Sequence, residues 1–203
     1  MKSLLKAYKK KKTDIRNRLQ EFQRVYKKGD KDIFAELCFC ILTPQAKAII
    51  CDQAIKRLQR HDLLFNGSRR DVRRCLRGVR FPNNKARYLI EARKCSNLKA
   101  RIDTKDLIKV RDWLVENIKG LGYKEASHFL RNIGFGQDLA ILDRHILKNL
   151  KRYKVIKKIP GSLTRKEYMK IENKMRESFQ QLNITLEELD LLFWSNETGV
   201  IFK

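Results

Sequence analysis

The sequence predicts an all-α fold, and three observations carry the prediction. Apolar residues recur at spacings of three and four along almost the whole chain, as one face of a 3.6-residue helix requires. Several Ser or Thr residues stand three positions ahead of Glu or Asp, the spacing at which a helix N-terminus caps itself. The links between the helical segments are short and well punctuated, and only residues 156–160 show any β character. With 203 residues and 42% hydrophobic content the chain can bury a core as one domain or two modest lobes, and it contains no repeat or low-complexity linker.

Taken in order, Ile15, Leu19, Phe22 and Tyr26 form a helical stripe behind the basic run at 9–12, and Lys28, Gly29 and Asp30 end that helix. Phe34, Leu37, Cys38, Ile41 and Leu42 continue the spacing as a largely buried segment. Thr43 and Pro44 are expected as an N-cap and first-turn proline, opening a helix through Ala48, Cys51, Ile55 and Leu58. Ser68 with Asp71 starts a short helix reaching about Arg77. Phe81, Pro82, Asn83 and Asn84 read as a loop that launches a helix from Lys85 through Tyr88, Leu89 and Ala92. Asp103 or Thr104 is expected to cap the helix of Leu107, Val110, Trp113 and Leu114, which ends at Asn117. A second helix opens at Lys124, shows Ala126, Phe129, Leu130 and Ile133 on its apolar face, and stops at Gly134. Thr164 with Glu167 and Thr185 with Glu188 open the last two helices.

Lys and Arg number 47 against 23 Asp and Glu, a formal net charge of +24 spread over the whole length. A thermophile's charged surface mixes both signs into networks, whereas an excess of this size repels itself unless a polyanion receives it. A phosphate polymer is therefore the expected partner. The five cysteines, Cys38, Cys40, Cys51, Cys75 and Cys95, are odd in number and fall mostly at apolar helical positions, as small core residues in a reducing compartment do. No C-x-x-C pair or His/Cys cluster suggests a metal. There is no apolar leader and no stretch long enough to cross a bilayer, so the expectation is a soluble intracellular protein of the cytoplasm or nucleoid, without a membrane partner.

Between the two helices that meet at 117–124 lies the turn Ile118, Lys119, Gly120, Leu121, Gly122, followed by Tyr123 and Lys124, with Asp143 nineteen residues after Lys124. Glycine permits positive φ and carries no Cβ, so such a turn can press its amides against another molecule's backbone. By itself it is an ordinary αα-hairpin. Together with Leu142, Asp143, Arg144 and His145 it resembles the helix-hairpin-helix of the base-excision DNA glycosylases, in which a lysine just after the hairpin and a later aspartate carry the chemistry. Phe39, Cys40, Ile41, Leu42, Thr43, Pro44 and Gln45 resemble the glycosylase segment whose polar residue enters the duplex where the base has left. Phe81 to Tyr88 resembles the strand-wedging loop of 8-oxoguanine glycosylases. The resemblance covers most of the chain and is greatest to the small, archaeal-type 8-oxoguanine DNA glycosylase/AP lyases. It departs at Lys119, where the superfamily often has proline.

The resemblance implies two helical lobes flanking a DNA-binding cleft, one of residues 31–136 and one of residues 1–30 with 137–203. It implies a monomer acting on duplex DNA that contains damaged guanine. It implies no cofactor and no iron–sulfur cluster, and it leaves room for a monovalent cation at the hairpin. Lys124 is the implied nucleophile and Asp143 the charge that stabilises the developing oxocarbenium, although Asp143 taken alone reads as a helix cap. Phe81 and Trp194 are candidates to sandwich an extruded base, with Lys203 and its carboxylate at the base edge. An aromatic at the spacing of Leu191, Leu192, Phe193 and Trp194 is otherwise core. Gln45, Asn84, Lys85, Arg87, Lys119, Gly120, Gly122 and His145 are the expected DNA contacts. The run Arg69, Arg70, Arg73, Arg74 reads as a solvated helix face. Two alternatives stay open: a hairpin module that binds duplex without catalysis, and a glycosylase for another lesion, such as an oxidised pyrimidine or a mismatched base.

Overall fold

A computed structural model describes all 203 residues. It contains α-helices, three short 3-10 turns and no strand, residues 156–160 included. The chain forms two compact units, one of Met1–Arg24 with Leu130–Lys203 and one of Val25–Phe129. Their limits fall inside helices α1 (Lys2–Lys28) and α8 (Tyr123–Asn132).

The unit Val25–Phe129 is built on α2 (Asp30–Leu42), which buries Ile33, Phe34, Leu37, Cys38, Phe39, Ile41 and Leu42. A helix apolar on nearly every side has to lie inside, and α3 (Ala48–Arg60) and α6 (Pro82–Ala92) pack against it, with Leu58 and Leu89 fully buried on them. Phe34 is fully buried, so Phe34→Ala should cost about 3–5 kcal/mol. The short helices α4 (Leu63–Asn66) and α5 (Arg69–Cys75) close one side, and α7 (Leu107–Asn117) leads to the hairpin. Ser68 caps α5 by accepting from the Asp71 amide.

Three helix starts differ from the sequence expectation. Thr43 ends α2 instead of opening α3: its Oγ1 donates back to the Cys40 carbonyl at 2.8 Å, and α3 begins only at Ala48. A Thr hydroxyl can serve either helix, and the carbonyls left over at the end of the buried α2 claimed it. Asp106, not Asp103 or Thr104, caps α7, accepting from the Lys109 amide at 3.0 Å, while Asp103 accepts from Lys105 within the preceding turn. Helix α6 begins at Pro82, so Asn83 and Asn84 lie in its first turn and not in a loop. Proline at the first helical position loses no hydrogen bond, which moves the start forward by three residues.

In the other unit, α11 (Leu186–Thr198) packs against α9 (Arg144–Arg152) and buries Leu189, Leu192 and Phe193. Phe193 stacks on Tyr153 at 5.7 Å and meets Phe179 of α10 (Arg165–Phe179) edge-on at 6.0 Å. Thr185 and Glu188 form the expected reciprocal cap at the start of α11. Glu188 also accepts from Tyr8 at 2.7 Å and Arg16 at 3.2 Å, and Lys11 donates to Ser195 and Asn196, so α11 is tied to α1 along its length. The buried Arg131 pairs with the buried Asp190 at 3.2 Å and lies over the Phe22 ring at 4.8 Å. Residues 139–142 run buried without a ladder partner: Leu139 donates to Gly136 and Ile141 accepts from Asp143 within the segment's own backbone, while α10 serves the others, Tyr168 donating to Ala140 and accepting from Leu142 and Glu172 accepting from the Ala140 amide. That brace sets the position from which Asp143 starts α9.

Candidate active site

The hairpin turns on one obligatory glycine. Gly120 sits at φ +92, and a Cβ there would come within 2.7 Å of Tyr88 Cδ2. Gly122 has no positive φ; its amide instead donates to Glu125 Oε2 at 3.1 Å, half of a capping box that opens α8. Ile118 and Leu121 bury their side chains beneath the turn. The two candidate lysines differ sharply. Lys119 is 67% exposed with its Nζ 3.1 Å from Glu91 Oε2, whereas Lys124 is 24% exposed with its Nζ 3.5 Å from Glu125 Oε1. Glu125 thus braces the turn with one oxygen and faces the Lys124 ammonium with the other. The spacing from Gly122 to Glu125 is the readable signal for that role.

Lys85 corrects the sequence reading. It was expected on DNA, but it is only 4% exposed, and its ammonium donates to the Leu42 and Pro44 carbonyls, each at 2.7 Å. Lys85 lies on the buried face of α6 with Ala86 and Leu89, and that face is turned to the end of α2. Burial lowers its pKa; the charge of Glu125 opposes that, and the charge of Lys124 adds to it. The Cys51 thiol, pushed up to about 11 by burial, donates to the same Leu42 carbonyl at 3.2 Å. The unit therefore gathers Lys124, Glu125, Lys85 and Cys51 beside the end of α2.

The other candidates of this unit face solvent. Gln45 and Phe81 are exposed, and both adopt left-handed backbone conformations, φ +54 and φ +56, which non-glycine residues seldom occupy. Strain of that kind concentrates at functional positions. Phe81 is 48% exposed, with the Arg80 guanidinium 5.1 Å from the ring centre. Asn84 is exposed, and Arg87 lies over Tyr88 at 5.3 Å with Glu91 at 3.8 Å. Arg69, Arg70, Arg73 and Arg74 are exposed along α5.

In the second unit Asp143 is held by both oxygens. Oδ1 accepts from the Ile146 amide at 2.8 Å, capping α9, and Oδ2 accepts from Trp194 Nε1 at 2.9 Å. A carboxylate at a helix N-terminus is favoured electrostatically and cannot rotate with both oxygens occupied. Trp194 thus orients Asp143, a contact across 51 residues that no local pattern announces. His145 meets Trp194 edge-on at 5.6 Å, and its Nδ1 is buried without a hydrogen-bond partner. The C-terminal segment is anchored by Arg18, whose Nε donates to the Phe202 carbonyl at 2.9 Å, and Lys203 is half-buried beside it. All five cysteines are free, and no three His, Cys, Asp or Glu side chains gather in a metal-binding group.

Hairpin and charge place the protein in the helix-hairpin-helix class. The chain belongs to the 8-oxoguanine DNA glycosylase family, whose sequence profile matches residues 15–184. It is 48% identical over 206 residues to an 8-oxoguanine DNA glycosylase/AP lyase of Fusobacterium nucleatum, covering 98% of this chain and 95% of the relative. A Methanocaldococcus jannaschii protein of the same name is 41% identical over 194 residues, 93% of this chain and 91% of that one. The crystal structure of the M. jannaschii 8-oxoguanine glycosylase/lyase in complex with a 15mer DNA containing 8-oxoguanine superposes with a TM-score of 0.91 at 38% identity, over 99% of this chain and 100% of that one. The 8-oxoguanine DNA glycosylase of Thermotoga maritima gives a TM-score of 0.91 at 34% identity, over 100% of this chain and 97% of that one.

Proposed function

We propose that this chain is a bifunctional 8-oxoguanine DNA glycosylase/AP lyase in which Lys124 is the nucleophile and Asp143 its electrostatic partner. The observation that carries the activity is the full-length match, in sequence and in fold, to enzymes of that name, one of them crystallised on DNA containing the lesion. Duplex DNA is the partner. The residue roles rest on chemistry and local geometry.

The Lys124 amine, once neutral, attacks C1′ of the damaged nucleotide. The C1′–N9 bond breaks with its electron pair, and the base leaves with a proton. Positive charge develops at the sugar in this step, and a carboxylate fixed by two hydrogen bonds stabilises it without reorganising. Ring opening turns the C1′ adduct into a Schiff base with Lys124. Loss of a C2′ proton then expels the 3′ phosphate by β-elimination, so one amine supports both steps. Lys124 is preferred over Lys119 because it is the more buried and faces Glu125 within the hairpin, whereas Lys119 points to solvent and to Glu91. Phe81 and Trp194 offer the aromatic faces for the extruded base, Lys203 the contact to its edge, and Gln45 the group that occupies the vacated stack. Asn84, Arg87, Lys119 and the hairpin backbone at Gly120 and Gly122 contact the DNA strands, with His145 on phosphate. The protein is proposed to act as a monomer.

The test is a duplex carrying one 8-oxoguanine. An enzyme of this kind releases the base and leaves a nick with a β-elimination end. A hairpin binding module would retard the duplex in a gel and leave it intact, and a glycosylase for another lesion would cut only a duplex carrying an oxidised pyrimidine or mismatch.

A further inference from the structure

Residues 43–46 form a β-turn in which the Ala46 amide donates to the Thr43 carbonyl at 3.0 Å. Pro44 takes the second position, where its ring fixes φ, and Gln45 takes the third with φ +54. Positive φ at the third position alone makes this a type II turn. The commoner type I turn differs by a flip of the central peptide, here the one joining Pro44 to Gln45, and would put Gln45 at negative φ. Glycine or asparagine is the usual residue at the third position of a type II turn, and glutamine is poorly suited to it. Something outside the turn has to hold the flipped form.

The Pro44 carbonyl belongs to that central peptide, and Lys85 Nζ donates to it at 2.7 Å. The same ammonium donates at 2.7 Å to Leu42, the last residue of α2, so it spans the end of the helix and the middle of the turn. Flipping the peptide would swing the Pro44 oxygen away and leave a buried ammonium short of a partner, which is far more costly than the turn's own preference. We propose that Lys85 is a positioning residue, which locks the Pro44–Gln45 peptide in its flipped form and thereby aims the exposed Gln45 side chain. Lys85 therefore acts on DNA through Gln45 and makes no contact of its own. This rests on the reading of Gln45 as the residue that enters the duplex.

A double-mutant cycle on the full chain tests it, using single-turnover excision of 8-oxoguanine from duplex. Gln45→Ala and Lys85→Met should each slow excision by about tenfold, the loss of one ordinary polar contact. The double variant should be no slower than the slower single one, because Lys85 has nothing left to aim. Duplex binding by Lys85→Met should keep the parent's salt dependence. Multiplied losses of about a hundredfold in the double variant would overturn the proposal, as would a salt slope reduced by about 0.9, the mark of a lost phosphate contact. A silent Gln45→Ala would sink the reading of Gln45 and this inference with it, whereas a slow Gln45→Ala beside a silent Lys85→Met would sink this inference alone. If Lys85→Met does not fold, Lys85→Gln, shorter and uncharged but still a donor, enters the same cycle.

Discussion

Replacing Trp194 with Phe keeps an aromatic face at that position and deletes only the indole N–H that holds Asp143 Oδ2 at 2.9 Å. The remaining bond, from the Ile146 amide to Oδ1 at 2.8 Å, still caps α9 but leaves the carboxylate free to turn about it. A hydrogen bond to a charged group is worth about 1.5–3 kcal/mol, and the site is only half-buried, so the lower end applies: about 1.5 kcal/mol, or roughly tenfold in rate. The loss should appear in the single-turnover rate at saturating enzyme, because Asp143 acts on charge that exists only in the transition state. Stability should change little, since the α9 cap survives. A Trp194→Phe enzyme that keeps the parent rate within twofold would show that the indole does not orient the carboxylate. A loss confined to binding would assign Trp194 to the base pocket alone.

Further expectations follow from other parts of the molecule. Removing Ile201, Phe202 and Lys203 should slow 8-oxoguanine excision by about ten- to a hundredfold while sparing cleavage at a preformed abasic site, which has no base to recognise; equal loss of both in a protein that still melts cooperatively would remove the C-terminus from the pocket. Burial raises Glu187 from 4.5 to about 7, with Glu188 and Asp138 adding to the rise and Arg131 opposing it. Stability from this group is thus full below pH 4.5 and is lost as pH rises to about 7, by an amount on the order of 3 kcal/mol. Glu187→Gln should accordingly melt higher than the parent at pH 8 and no higher at pH 4.5, and an advantage equal at both would refute the burial argument. Glu91 neutralises Lys119 at 3.1 Å and lies 3.8 Å from Arg87, so Glu91→Gln should tighten binding to undamaged duplex and steepen its salt dependence; unchanged binding would show that neither cation meets phosphate.

What the sequence disclosed and what it hid divide along a physical line. Helices were legible because burial imposes the 3.6 period, as in Phe34, Leu37 and Ile41, and because Thr185 and Glu188 satisfy their own helix end with local atoms. Gly120 was legible because the required φ is itself local. Gly122 misled, since its glycine is not demanded by φ and the bond that matters comes from Glu125. Thr43 and Lys85 misled for a shared reason: both satisfy carbonyls of α2, at Cys40 and at Leu42, and which polar side chain reaches a buried helix end is decided by packing. The Asp143 cap could be read from sequence, but the Trp194 bond to its other oxygen could not, because it joins residues brought together only when α11 docks on α9.

The central claim is that one particular amine performs the chemistry, and borohydride reduction tests it most directly. Incubating the protein with an 8-oxoguanine duplex and borohydride should reduce the Schiff base to a stable adduct, which peptide mapping should place on Lys124. Lys124→Gln should give no adduct while binding the duplex as the parent does, and Lys119→Gln should still give it. An adduct mapped to Lys119 or Lys85, or one that survives Lys124→Gln, would contradict the account.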